Sequence, residues 1–269
     1  MKQPDSLIKQ ITPEEIELEK KRAELSVLEE ELAQKELDLT TLQVNLEYLR
    51  QRYLRIVGVR IARLDGIEAQ IAEIIARLEP KNEDAQEEAD RSRTQAKESA
   101  NATGSITEEE YETEPFKPSE NLKKLYRDLA KKAHPDLAPD EQSRERRHKF
   151  MQKVNQAYAE GNEERLRSLL NEWESSPDSV PGEGTGAELI RIIRQIANVH
   201  NRIEAIGREL ENLKESELYK LKLKIDEVQG QGRDLMSEMA DELDAQIAGA
   251  ETRRRDMIKQ VEKMNEAER

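Results

Sequence analysis

The sequence predicts an all-α protein, and three observations carry that prediction. Charged residues make up 38% of the 269-residue chain and aromatics only 3%, too little large apolar material for one broad globular core. Apolar residues recur at steps of three and four along two long stretches, one near each end, as they do in coiled coils. Cysteine is absent, so a disulfide framework, a thiolate metal site and a cysteine nucleophile are all excluded. The expected architecture is long coiled-coil helices or helical hairpins at both ends around a small helical module, with disordered linkers.

The first element covers residues 12–79. At Thr12-Pro13-Glu14-Glu15, Thr12 can cap a helix, Pro13 fits its first position and Glu15 can reach back as in a capping box. Leu25, Leu28, Leu32, Leu39, Leu42, Leu46, Leu49, Tyr53 and Ile56 then form a seam. Beyond Val57-Gly58 the stripe moves by one position, to Val57, Ile61, Leu64, Ile71, Ile75 and Leu78. The helix therefore either carries a skip there or folds back. Residues 80–118 lose this period and are rich in Asn, Asp, Glu, Ser, Thr and Gln, a composition that cannot offset the entropy of ordering. They are expected to be a disordered linker.

A compact helical module is expected over residues 119–174, a second linker over 175–186, and a C-terminal coiled coil over 187–267. Thr185 and Glu188 repeat the capping-box signal. Leu189, Ile192, Ile196, Val199, Ile203, Ile206, Leu210 and Leu213 alternate steps of three and four without a miss. The seam resumes one residue late at Leu218, Leu221, Ile225 and Val228, and continues at Leu235 and Met239 across Gly230-Gln231-Gly232. Two antiparallel arms joined near one of these irregularities, or one long helix with stutters, would both fit.

Within the module, Leu122 to Ala133 reads as a helix with Ser119 or Asn121 near its cap. Leu122, Leu125, Leu129 and Ala133 share one face, and Lys124, Arg127 and Lys131 fall largely on another. Pro135 stops the helix, because it has no amide hydrogen and pushes His134 out of the helical region. A second helix starts after Pro139, with Asp140 and Glu141 in its first turn, and its apolar face is Phe150, Val154, Ala157 and Tyr158. Gly161 ends it, and Asn162 caps a third helix bearing Leu166, Leu169, Leu170 and Trp173.

The run Leu122 to Ala133 followed by His134-Pro135-Asp136, then Lys149-Phe150 and Val154-Asn155-Gln156-Ala157-Tyr158, resembles the second helix, signature loop and third helix of the J domain of DnaJ-type co-chaperones. The family's first helix has no counterpart in Glu108 to Phe116, and Leu166, Leu169, Leu170 and Trp173 are expected to cover the face it would leave. Asp128 and Ala133 also differ from the basic and aromatic residues usual there. The resemblance implies docking on a DnaK-type chaperone and stimulation of its ATP hydrolysis. It implies that His134, Pro135, Asp136, Lys123, Lys124, Tyr126, Arg127, Lys131 and Lys132 meet the chaperone. The implied module core is Leu125, Leu129, Phe150, Val154, Ala157, Tyr158, Leu166, Leu169, Leu170 and Trp173.

Other functions find less support. The net charge of −14 argues against nucleic-acid binding, which draws on Lys and Arg to neutralise phosphates, although residues 123–153 carry ten basic side chains against five acidic ones. His134, His148 and His200 lie on separate elements, and no metal-ligand spacing, phosphate loop or nucleophile–base set is present. No enzyme, cofactor or metal is expected. No run reaches the roughly 18 apolar residues of a membrane span, and the N-terminus lacks a signal-peptide apolar segment, so a soluble cytoplasmic protein is expected. The seams predict a homodimer and attachment to an unknown client. The competing reading is a structural coiled-coil scaffold whose J-like module is degenerate.

Overall fold

The computed structural model describes residues 12–104, 116–174 and 185–267, and every element among them is helical. Two compact units divide the chain, Met1–Asn45 with Pro115–Ser216 and Leu46–Glu114 with Glu217–Arg269. Among the described residues no helix is long and apolar enough to cross a membrane.

The first unit is built around the start of α1 (Pro13–Tyr53). The capping box forms as expected: the Thr12 amide donates to Glu15 Oε2 at 2.9 Å and the Glu15 amide to Thr12 Oγ1 at 3.3 Å. Leu18, Leu25, Leu28, Leu32 and Leu39 of α1 pack with Ile192, Ile196, Val199 and Ile206 of α7 (Thr185–Glu215). Two cross-helix ion pairs, Arg22 to Glu188 and Arg202 to Glu36, are both 2.7 Å long and both span 166 residues. Equal offsets at both points mean that the two helices run parallel and in register. These heptad positions therefore bury one another within a single chain.

A second stripe on α1, Ala33 and Leu37, joins a different cluster. Its other members come from α4 (Glu120–Ala133), α5 (Glu141–Ala159) and α6 (Glu163–Glu174). Ser119 caps α4 by accepting from the Leu122 amide at 3.0 Å, and Asp140 caps α5 by accepting from the Ser143 amide at 2.8 Å. Gly161, at φ 67°, ends α5 in a Schellman turn: its amide reaches the Tyr158 carbonyl and the Asn162 amide the Ala157 carbonyl, both at 2.9 Å. Asn162 then caps α6 through the Arg165 amide at 2.8 Å. The helices α4 and α5 are antiparallel, since Tyr126 meets Asn155 and the His134 carbonyl meets Arg147.

In the second unit α1 passes into a π-helical turn at Leu54–Gly58 and continues as α2 (Val59–Leu78). A π turn adds one residue to the helical repeat, which accounts for the one-position shift of the stripe there. Gly58 leaves room for the close approach of α3: a Cβ on it would sit 3.2 Å from Thr103 Cγ2, tighter than an ordinary contact. The last two described helices, α8 (Glu217–Gly230) and α9 (Leu235–Ala267), are joined by a turn at Gly232, whose φ is 78°. Leu49 packs with Ile225 and Met236, and Ile67 and Ile71 pack with Ile247.

The linker expected over residues 80–118 is corrected for most of its length. Glu83–Thr103 forms a helix, α3, capped by Asn82 and packed along α2; residues 105–115 lie outside the described ones. Small residues close this contact, Ala89 against Ala72 and Ala76. Polar groups fasten it: the buried Asp65 carboxylate accepts from Gln95 at 3.0 Å and from the Ser99 hydroxyl, and Arg93 pairs with Glu73 at 3.0 Å. Residues 83–103 carry no large apolar side chain, so this face leaves no stripe at helical spacing in the sequence. The second expected linker, 175–186, falls almost wholly outside the described residues, and α7 begins at Thr185.

Candidate functional site

The loop between α4 and α5 is set by Pro135. His134 adopts φ −61° and ψ 135°, leaves the helix, and is followed by one 3-10 turn, Pro135–Leu137. Its imidazole is buried, 3% exposed. Nδ1 accepts from the Asp136 amide at 3.2 Å, so Nε2 carries the proton and donates to Glu36 Oε1 at 3.0 Å. The same Glu36 oxygen accepts from Arg202 Nε at 2.7 Å, and Arg202 Nη1 reaches Glu209 at 2.9 Å. Burial pushes the Glu36 carboxyl up, but the hydrogen bonds from His134 and Arg202 and the charge of Arg202 outweigh it and hold the group below its ordinary value.

The rest of the loop is fixed from three directions. Arg147 donates to the His134 carbonyl at 3.3 Å while its guanidinium stacks over Trp173 at 5.1 Å. Leu137 is buried among the α1 and α7 seam residues, and its carbonyl accepts from Gln195 at 2.6 Å. The Asp136 carboxylate, with 13% of its side chain exposed, accepts from Arg144 at 3.3 Å. Its loop borders an open cleft of about 740 Å³ whose wall includes Glu36, Arg144, His148 and Arg202.

The sequence-predicted site residues separate into three groups. Lys124 and Lys132 are exposed, Lys132 paired with Glu174. Lys123 pairs with Glu120 at 2.8 Å, Lys131 pairs with Glu30, and Arg127 donates to Gln34 at 3.1 Å. Hence α1 meets part of the basic face of α4 with an acidic and polar strip. Tyr126 is a correction: expected on the binding surface, it is 0% exposed, hydrogen-bonded at 2.9 Å to both Thr40 and Asn155. Burial pushes its hydroxyl far above the ordinary value and keeps it neutral.

Of the expected core, Leu129, Phe150, Val154, Ala157, Tyr158, Leu166, Leu169 and Trp173 are buried together, whereas Leu125 and Leu170 are only half-buried at its edge. The buried face of α4 is Leu122, Tyr126, Leu129, Ala130 and Ala133, rotated because α1 covers the side that Tyr126 lies on. The helix α6 covers the pair as expected, with Phe150 and Trp173 rings 5.1 Å apart, and α1 covers it as well. Sequence reading missed Glu36, Gln195 and Arg202. Each flanks a heptad seam, where a charged or polar residue is ordinary, and no local signal pairs α1 with α7.

The arrangement supplies a positioned carboxylate beside a partly basic helix. Among the described residues no group of three or more His, Asp or Glu side chains could hold a metal ion. In comparison with known proteins, the chain matches no family model, no curated protein and no solved structure.

Proposed function

We propose that this chain is a J-domain-type co-chaperone that docks on the ATP-bound form of a DnaK-type chaperone through the His134-Pro135-Asp136 loop and promotes its ATP hydrolysis. The observation that carries the reading is the local one: an antiparallel pair of helices, the first partly basic, joined by a Pro-Asp turn in which the Asp136 amide donates to the His134 ring and the Asp136 carboxylate accepts from Arg144. A pre-set carboxylate loses little entropy on meeting a cation, and truncating one partner of a desolvated charge pair costs about 2–5 kcal/mol. That is enough to bias a two-state ATPase cycle.

Lys124 and Lys132, exposed towards the two ends of α4, steer an acidic partner and set the association rate. The helices of the second unit offer the surface for a client or another partner. A homodimer would need a surface other than the α1–α7 seam, whose residues are already buried in one chain.

The competing reading, a scaffold in which the module is only a folding spacer, is favoured by one observation, the burial of His134. Single-turnover ATP hydrolysis by the DnaK-type chaperone of the source organism, at saturating full-length chain, separates the two. Stimulation that Asp136→Asn removes supports the co-chaperone. No stimulation, or equal stimulation by both proteins, leaves the scaffold.

A further inference from the structure

Resting on the co-chaperone reading, we propose that α7 is a built-in clamp on the docking loop, an internal competitor that must lift before a chaperone can engage His134 and Asp136. Three contacts make the clamp. Arg202 holds Glu36, which holds the His134 ring, with heavy-atom separations of 2.7 and 3.0 Å. Gln195 donates to the Leu137 carbonyl at 2.6 Å. The Leu137 side chain is itself buried in the seam that α7 makes with α1.

The helices α1 and α7 contribute differently. Ala33 and Leu37 of α1 sit in the same core as Leu129 and Tyr158, and the Thr40 and Thr41 hydroxyls bond those of Tyr126 and Tyr158 at 2.9 and 2.8 Å. Lifting α1 would open the module. No α7 residue belongs to that core; α7 touches the loop and lies along α1. It is the element that can leave while α4, α5 and α6 stay folded.

A ligand that binds only the open form is weakened by the fraction of time the site is open. If the loop is free about one tenth of the time, releasing the clamp lowers the concentration of chain giving half-maximal stimulation about tenfold, and leaves the maximum unchanged. Gln195→Ala combined with Arg202→Ala removes the α7 contacts to the Leu137 carbonyl and to Glu36, together with the Arg202–Glu209 pair within α7, and replaces no residue of the module core or of the loop. Hydrogen exchange over residues 134–138 reports release of the loop, and exchange over 120–133 and 141–159 reports an intact module.

The expected result is faster loop exchange, unchanged module exchange, and an about tenfold lower half-maximal concentration that Asp136→Asn abolishes in the released variant too. Unchanged loop exchange, or faster loop exchange with an unchanged or higher half-maximal concentration, overturns the clamp while stimulation by wild type preserves the co-chaperone reading. Absence of Asp136-dependent stimulation in both proteins at saturation overturns both.

Discussion

The helices α3 and α4 are both polar, yet they are held by opposite means. The 14-residue α4 buries Leu122, Tyr126, Leu129, Ala130 and Ala133, while the 21-residue α3 buries only Ala89 and Thr103. The first is anchored by volume removed from water, about 1.5–3 kcal/mol for each large side chain. The second relies on close approach of small residues and on hydrogen bonds to the buried Asp65 carboxylate. A helix can therefore dock without an apolar stripe if its neighbour supplies buried acceptors, and its contact is then sensitive to added volume rather than to lost volume.

The largest expected effect tests the volume-anchored side. Leu129→Ala, at a position 0% exposed, should destabilise the first unit by about 2–5 kcal/mol, read as a shift in urea midpoint. Next comes the reverse experiment on α3. Ala89→Leu should overpack the contact with Ala72 and Ala76 and cost about 1–3 kcal/mol, seen as faster hydrogen exchange over residues 83–103 with α4 unaffected. An Ala89→Leu protein whose α3 exchanges at the wild-type rate would break the comparison.

The same contrast explains how much was legible in the sequence. The all-α class, the Thr12 capping box, the Pro135 stop, the Gly161 turn and the Asn162 cap were all readable, because each is a local rule of backbone sterics or capping. The π turn was readable only as an irregularity, a stripe that slips by one at Val57-Gly58. The helix α3 was not readable, because alanine and serine at a close interface look like the composition of a tether. For the loop, the tripeptide and its flanking helices were plain, but the burial of His134 was not. It depends on Glu36 and Arg202, 98 and 68 residues away in sequence, and hence on a parallel pairing of α1 with α7 that neither helix specifies alone.

A smaller effect sharpens the polar part of the comparison. Tyr126→Phe keeps the ring packed against Tyr158, at 4.8 Å between centroids, and removes the hydroxyl shared with Thr40 and Asn155. It should cost about 1 kcal/mol, well below Leu129→Ala, and comparable losses would show that α4 is held by hydrogen bonds after all. The smallest effect is acid sensitivity. Folding holds Glu36 below its ordinary value of 4.5, so its contribution is complete above that pH and is lost as pH falls through the depressed folded value. Loop exchange over 134–138, corrected for intrinsic rates, should rise in that window, and a flat profile would contradict the role given to Glu36.

The central claim is that the loop, although packed, is a docking element. Single-turnover ATP hydrolysis by a DnaK-type chaperone with saturating full-length chain tests it most directly. The account predicts an accelerated rate that returns to the unstimulated one with Asp136→Asn. Identical rates with wild type and Asp136→Asn, in proteins of equal stability, would contradict it.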